Sequence, residues 1–149
     1  MLIQICKDMG SAKQYNPSGG FHNHEYHQEG DTIYYDGLKG KIVVKNEENK
    51  NGLPPYSGTS DFYAGKRTRT GEIIQVRFYK DRRQYIDFDW GHEHTNKKGD
   101  KARFPVGTVH VQIYENGVRS EIARYMSNDE INRFGALLKS LNPNVKFRP

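Results

Sequence analysis

The stretch Glu72-Ile-Ile74-Gln-Val76-Arg77-Phe78-Tyr79-Lys80-Asp81-Arg82-Arg83-Gln84-Tyr85-Ile86-Asp87-Phe88-Asp89-Trp90 decides the fold. Ile74, Val76 and Phe78 share one parity, with Arg77 and Tyr79 on the other. Ile86, Phe88 and Trp90 then alternate with Tyr85, Asp87 and Asp89. A period of two over successive segments is the mark of strands with one buried face. Keeping the apolar residues on one side pairs Phe78 with Ile86 and Arg77 with Asp87. That pairing requires the odd-length connection Asp81-Arg82-Arg83, because a slip of one residue would set Arg77 beside Ile86.

Downstream, Val109, Val111 and Ile113 alternate with His110, Gln112 and Tyr114, a third strand. Glu115-Asn116-Gly117 turns into a fourth over Val118–Tyr125. Ser127-Asn-Asp-Glu130 is a capping box, and Ile131, Phe134, Leu137, Leu138 and Leu141 follow at helical spacing until Asn142-Pro143 stops the helix. Upstream, Thr32–Tyr35 and Lys41–Lys45 flank Asp36-Gly37 and read as a hairpin. Residues 46–71, with Pro54-Pro55, read as a long loop, and residues 1–30, rich in Gly, Asn and His, as an irregular arm. The expected architecture is one α+β domain over 1–149. A twisted antiparallel sheet of about four to six strands carries a C-terminal helix on one face. Its parts are the arm (1–30), a hairpin and long loop (31–71), an antiparallel meander (72–126) and the helix (127–141).

Composition bounds the function. At 34% hydrophobic residues and a mean hydropathy of −0.93 the chain is polar, yet 10 Tyr and 7 Phe set it apart from disordered segments. No apolar run reaches membrane-spanning length, so no membrane span is expected. The N-terminus turns polar too soon for a signal peptide, which points to a cytoplasmic site of action. The single cysteine, Cys6, has no partner for an internal disulfide. The formal charge is +5, and residues 66–104 alone carry 11 basic and 6 acidic side chains, a net +5. Lys66, Arg67, Arg69, Arg82 and Arg83 in that segment are candidate ligands for RNA or another polyanion. Solvated loops that keep the chain soluble are the plainer account of the same charges.

The polar parity of the strands collects Arg77, Tyr79, Tyr85, Asp87, Asp89, His110, Gln112 and Tyr114 on one surface. His110 is the foremost acid/base candidate, with His92 and His94 of Trp90-Gly-His92-Glu-His94 as rivals. Arg77 has the planar fork that holds a phosphate, and Asp87 or Asp89 could orient a histidine. Tyr79, Tyr85 and Tyr114 could stack a base. A cross-strand Arg–Asp pair beside a wet face would explain the same residues structurally. No cofactor is required by any motif; if a metal such as Zn²⁺ binds, its ligands are His92 and His94, or His22, His24 and His27.

Residues 72–124 resemble the C-terminal, ribonuclease-like toxin domains of bacterial polymorphic toxin systems. The resemblance rests on Arg77-Phe-Tyr79, Asp87-Phe-Asp89, His92 and His110-Val-Gln112, with glutamine at 112 where the pattern has a second histidine. It implies a small secreted or injected domain, a metal-independent ribonuclease site of Arg, His, Tyr and acids on a sheet face, and a cognate immunity protein. The leading expectation is therefore metal-independent phosphodiester cleavage in RNA. The alternatives are a non-catalytic protein-binding or phage and mobile-element assembly protein, and a His-rich metal-dependent hydrolase.

Overall fold

The computed structural model describes residues 11–14, 22–45 and 52–149, with side chains from 24–45 and 52–149. The strands are β1 (Ser11–Gln14), β2 (His22–Glu29), β3 (Thr32–Tyr35), β4 (Leu38–Lys45), β5 (Phe62–Arg67), β6 (Ile73–Lys80), β7 (Arg83–Asp89), β8 (His94–Thr95), β9 (Arg103–Phe104), β10 (His110–Glu115) and β11 (Val118–Arg119). One helix, α1 (Asn128–Leu141), follows. Nine strands form one sheet in the order β1-β2-β3-β4-β5-β6-β7-β10-β11, and β8 pairs with β9 separately. The α+β class stands, but the sheet is wider than the expected four to six strands. Residues 22–29 are a strand rather than an irregular arm, and β5 lies inside the expected long loop. Cys6 lies outside the described residues.

All pairings in the large sheet are antiparallel except β4 with β5. A parallel pair cannot be closed by a tight turn, which is why a long connection separates Lys45 from Phe62. Three of the tight turns are two residues long with both φ values positive: Asp36-Gly37 (49° and 81°), Asp81-Arg82 (51° and 67°) and Asn116-Gly117 (51° and 81°). That backbone matches the twist of the strands it joins.

Phe78 pairs with Ile86 and Arg77 with Asp87, as the hydrophobic parity requires. The odd residue, however, is not in the connection. Lys80 pairs with Arg83 and Tyr79 with Gln84, so Tyr85 is the extra residue of a bulge. The bulge turns Tyr85 out of the polar face. It packs against the apolar core instead, with Glu130 and Arg133 of α1 in its electrostatic surroundings.

The core lies between the apolar sheet face and α1. Phe134 stands 4.6 Å from Phe78 and 5.6 Å from Phe88, ring centre to ring centre, and Leu137 and Leu138 are fully buried. Both bonds of the capping box form: Ser127 Oγ accepts from Glu130 N, and Glu130 accepts from Ser127 N. β6 is buried on both faces from Ile73 to Tyr79, under the helix on one side and residues 52–60 on the other.

The outer edge of β10 is closed by four separate pieces. The strand expected over Val118–Tyr125 is only the two residues of β11. Beyond it Ser120 N donates to Ile113 O, and Val111 and Arg124 exchange both backbone bonds (2.7 and 3.1 Å). Just ahead of β10, Val109 N donates to Lys146 O (2.9 Å).

Gly40 pairs with Phe62 across the parallel seam, and a Cβ there would fall 2.1 Å from the Phe62 ring. Gly40→Ala is expected to lower stability by about 1–3 kcal/mol, read from the urea midpoint, and Phe62→Leu in the same chain to restore part of the loss.

Candidate functional site

Two cross-strand rows run over the polar face. The pairings of β6, β7 and β10 place Arg77, Asp87 and Gln112 in one row and Gln75, Asp89 and His110 in the next. The rows have different fates.

The first row is closed. Arg77 donates from Nε to Asp87 Oδ1 (2.6 Å) and from Nη2 to Asp87 Oδ2 (2.9 Å), a two-pronged pair. Nη2 also donates to the Tyr114 hydroxyl (3.0 Å), which donates in turn to Asp87 Oδ2 (2.9 Å). Nη1 donates to the carbonyls of Leu53 and Pro54. A guanidinium has five N–H groups, and these five bonds use them all, so Arg77 has no donor left for a phosphate. Burial opposes the Arg77 charge, but the Asp87 carboxylate outweighs it and holds the guanidinium above its ordinary range. Burial, then Asp87, pushes the Tyr114 phenol up to about 12, so it remains a donor. Tyr79 donates to Pro54 O, and Gln84 N donates to Pro55 O (2.9 Å), fastening residues 52–60 over the face. Arg77, Tyr79, Asp87 and Tyr114 thus form an internal cluster, and Tyr85 lies on the other side of the sheet.

The second row is buried as well, with Gln75, Asp89 and His110 4%, 8% and 1% exposed, but it leads to the histidine loop. As the chain leaves β7, Asp89 Oδ1 accepts from Gly91 N (3.1 Å), and Trp90 N donates to Ile74 O (3.0 Å). Gly91 passes so close to Ile74 that a Cβ would lie 2.8 Å from it, so glycine is required for this path. The chain then doubles back through β8 and β9, and Gly107 N returns to Trp90 O (2.9 Å). This excursion lays His94 over His110, stacked at 4.8 Å and 14°, and sets His92 edge-on to His110 at 5.3 Å. One nitrogen from each of the three lies within 4.8 Å of the others. The histidines that the sequence offers as rivals are therefore neighbours.

Each imidazole has a distinct environment. His110 is 1% exposed, and neither ring nitrogen has a hydrogen-bond partner among the described residues. Burial pushes its pKa down to about 4; Asp89 opposes this, while His94, His92 and Arg119 add to it. His94 Nε2 lies 3.2 Å from Asn96 Oδ1. Asn96 is itself fixed, donating to Ala123 O and accepting from Ala123 N at 2.9 Å each. Exposed His92 has Nδ1 3.5 Å from Asp89 Oδ1.

A cleft of about 310 Å³ opens beside the trio, lined by His94, Thr95, Lys97, Lys98, Gln112, Arg119, Ser120 and Glu121. Lys98 pairs with Glu121 at 3.0 Å. Lys97 and Lys98 belong to the basic segment 66–104 but are not among its expected RNA ligands, and Arg119 lies outside that segment. The signal for Arg119 was the Asn116-Gly117 turn, whose two-residue register sets Arg119 opposite Tyr114.

The other expected cations lie elsewhere. Arg83 begins β7, about 20 Å from Asp89 by strand rise and over the Tyr56 ring, and Arg82 lies in the turn just before it. Arg67 donates to Gly91 O behind the histidine loop, Lys66 lies on β5, and Arg69 sits in an exposed turn. His24 is held between Asp36 and the Asn132 carbonyl, and His27 lies 3.3 Å from Glu29. The side chain of His22 is outside the described residues. Among the described residues, His92, His94 and His110 are the group whose donor atoms converge as metal ligands would.

Comparison of the chain with protein-family models, curated proteins and solved structures finds no match.

Two outcomes follow from the two rows. Arg77→Met, which strands a buried Asp87 carboxylate, is expected to cost about 3–5 kcal/mol in urea unfolding, and Arg77→Met with Asp87→Leu to recover most of it. His110 folds in its neutral form, so its contribution is full above pH 6.5, its ordinary pKa, and is lost as pH falls toward about 4. Between those limits the wild type is expected to lose about 3 kcal/mol more than His110→Gln, measured by parallel urea melts at pH 7 and pH 4.

Proposed function

We propose that the chain cleaves phosphodiester bonds in RNA, with the scissile phosphate against His92 and His94 and the buried His110 behind them. The observation that carries this reading is the convergence of three imidazoles, of which His94 also lines a cleft bearing Lys97, Lys98 and Arg119. The cations suit a polyanion, and the imidazoles can exchange protons or hold an electrophile beside the phosphate. RNA brings its own nucleophile in the 2′-hydroxyl, so proton transfer and charge stabilisation are what the protein must supply. Arg119 and the two lysines take the charge-stabilising part expected of Arg77, whose donors are all committed within the fold. The toxin-like character, the cytoplasmic site of action and a cognate immunity protein belong to the same proposal, supported by the resemblance of residues 72–124.

Cleavage of a labelled single-stranded RNA tests it. The wild type is expected to cut, and His94→Ala to cut at least about 100-fold more slowly. The triple variant Lys97→Ala, Lys98→Ala, Arg119→Ala is expected to bind RNA more weakly and to reduce the log–log salt slope by about 2. A wild type that neither cuts nor binds RNA in a salt-sensitive way would sink the reading and leave a protein-binding or assembly role.

A further inference from the structure

We propose that His92, His94 and His110 form a binding site for one divalent transition-metal ion of the zinc class, with a coordination position open to the Lys97–Arg119 cleft. The binding itself stands on the geometry; its catalytic consequence rests on the RNA-cleavage reading.

His110 carries most of the argument. A buried polar group is nearly always bonded, and leaving one unpaired costs about 1–3 kcal/mol. His110 has two such nitrogens, 1% exposed, and the rings next to it belong to His92, His94 and Phe104. An imidazole with no hydrogen-bond partner on either nitrogen has a lone pair free for a metal ion.

Each of the other two rings has a polar partner near one nitrogen, which leaves the other nitrogen for an ion. A neutral His94 that donates Nε2–H to Asn96 has its lone pair on Nδ1, and Asn96 is locked to the Ala123 backbone. A neutral His92 with Nδ1–H toward Asp89 has its lone pair on Nε2, and Asp89 is fixed by Gly91 N. Such outer partners set the tautomer and the ring orientation of metal-bound histidines.

Three bonds of about 2.0–2.1 Å in a tetrahedral arrangement place the donors about 3.4 Å apart. The widest present separation, 4.8 Å, exceeds this by an amount that rotation of exposed His92 and half-buried His94 supplies. Three neutral nitrogens select zinc, cobalt, nickel or copper over magnesium and calcium, which prefer oxygen. Three protein ligands with a free position are the arrangement of catalytic rather than structural zinc. An ion there would polarise a phosphoryl oxygen delivered by the cleft, so cleavage would depend on metal, unlike the metal-independent reaction implied by the resemblance.

The test uses the full, untagged chain, stripped with a chelator and titrated with Co²⁺. One equivalent is expected to bind and to give the visible absorption of a four-coordinate, nitrogen-rich centre. Zn²⁺ should displace it, whereas millimolar Mg²⁺ should not. His92→Ala and His94→Ala, at positions that are not buried and with folding checked by circular dichroism, are each expected to weaken binding at least 100-fold. Asp89→Asn should weaken it about tenfold. Absence of stoichiometric binding, or binding that survives His94→Ala in a folded protein, would overturn the site. RNA cleavage undiminished in EDTA, together with no Co²⁺ binding, would overturn the metal and leave the cleavage reading. Tight Co²⁺ binding without RNA cleavage would do the reverse.

Discussion

Arg77 lies beneath a loop that its own guanidinium holds down, and its charge is tolerated there because Asp87 stands directly opposite. Neither partner can be moved by one residue along its strand without stranding a charge in the interior. The pair therefore fixes the register of β6 against β7, and through β7 that of β10. It also fastens residues 52–60 across one half of the polar face through Leu53 and Pro54. The imidazoles gather at the adjacent row, which the histidine loop borders instead of residues 52–60.

The division explains how one face can serve stability and chemistry at once. Along β7, Asp87 and Asp89 are two residues apart and point the same way. One is saturated by a guanidinium and a phenol, and the other is left to a glycine amide and an exposed histidine. Chain routing makes the difference, since the 52–60 segment returns over the first and the 92–107 excursion skirts the second.

Much of the meander was legible because its alternation is driven by burial: Val76, Phe78, Ile86, Phe88 and Val111 all lie on the apolar side. The helix was legible to its cap because Ser127 and Glu130 satisfy each other locally. The strand His22–Glu29 was not, because its polar residues gain order from pairing with β3, which no local pattern records. The bulge at Tyr85 escaped for a related reason: parity fixes the total offset between two strands but not where the odd residue sits. At the site, parity put the right strand residues on one face. The meeting of His92 and His94 with His110 depends on a loop doubling back, and Trp90-Gly91 gives only its starting direction.

A nine-stranded open sheet must end somewhere, and an end normally offers a ladder of free amides and carbonyls to any passing strand. Here the β10 side ends in patches. Two residues of β11, the Ser120 amide, Arg124 and Lys146 each take one section of the strand's margin. None of these pieces is long enough to be extended by a neighbouring chain. The margin nearest the imidazoles is thus poorly suited to strand addition, so the cleft can face a crowded solution without recruiting other copies edge to edge.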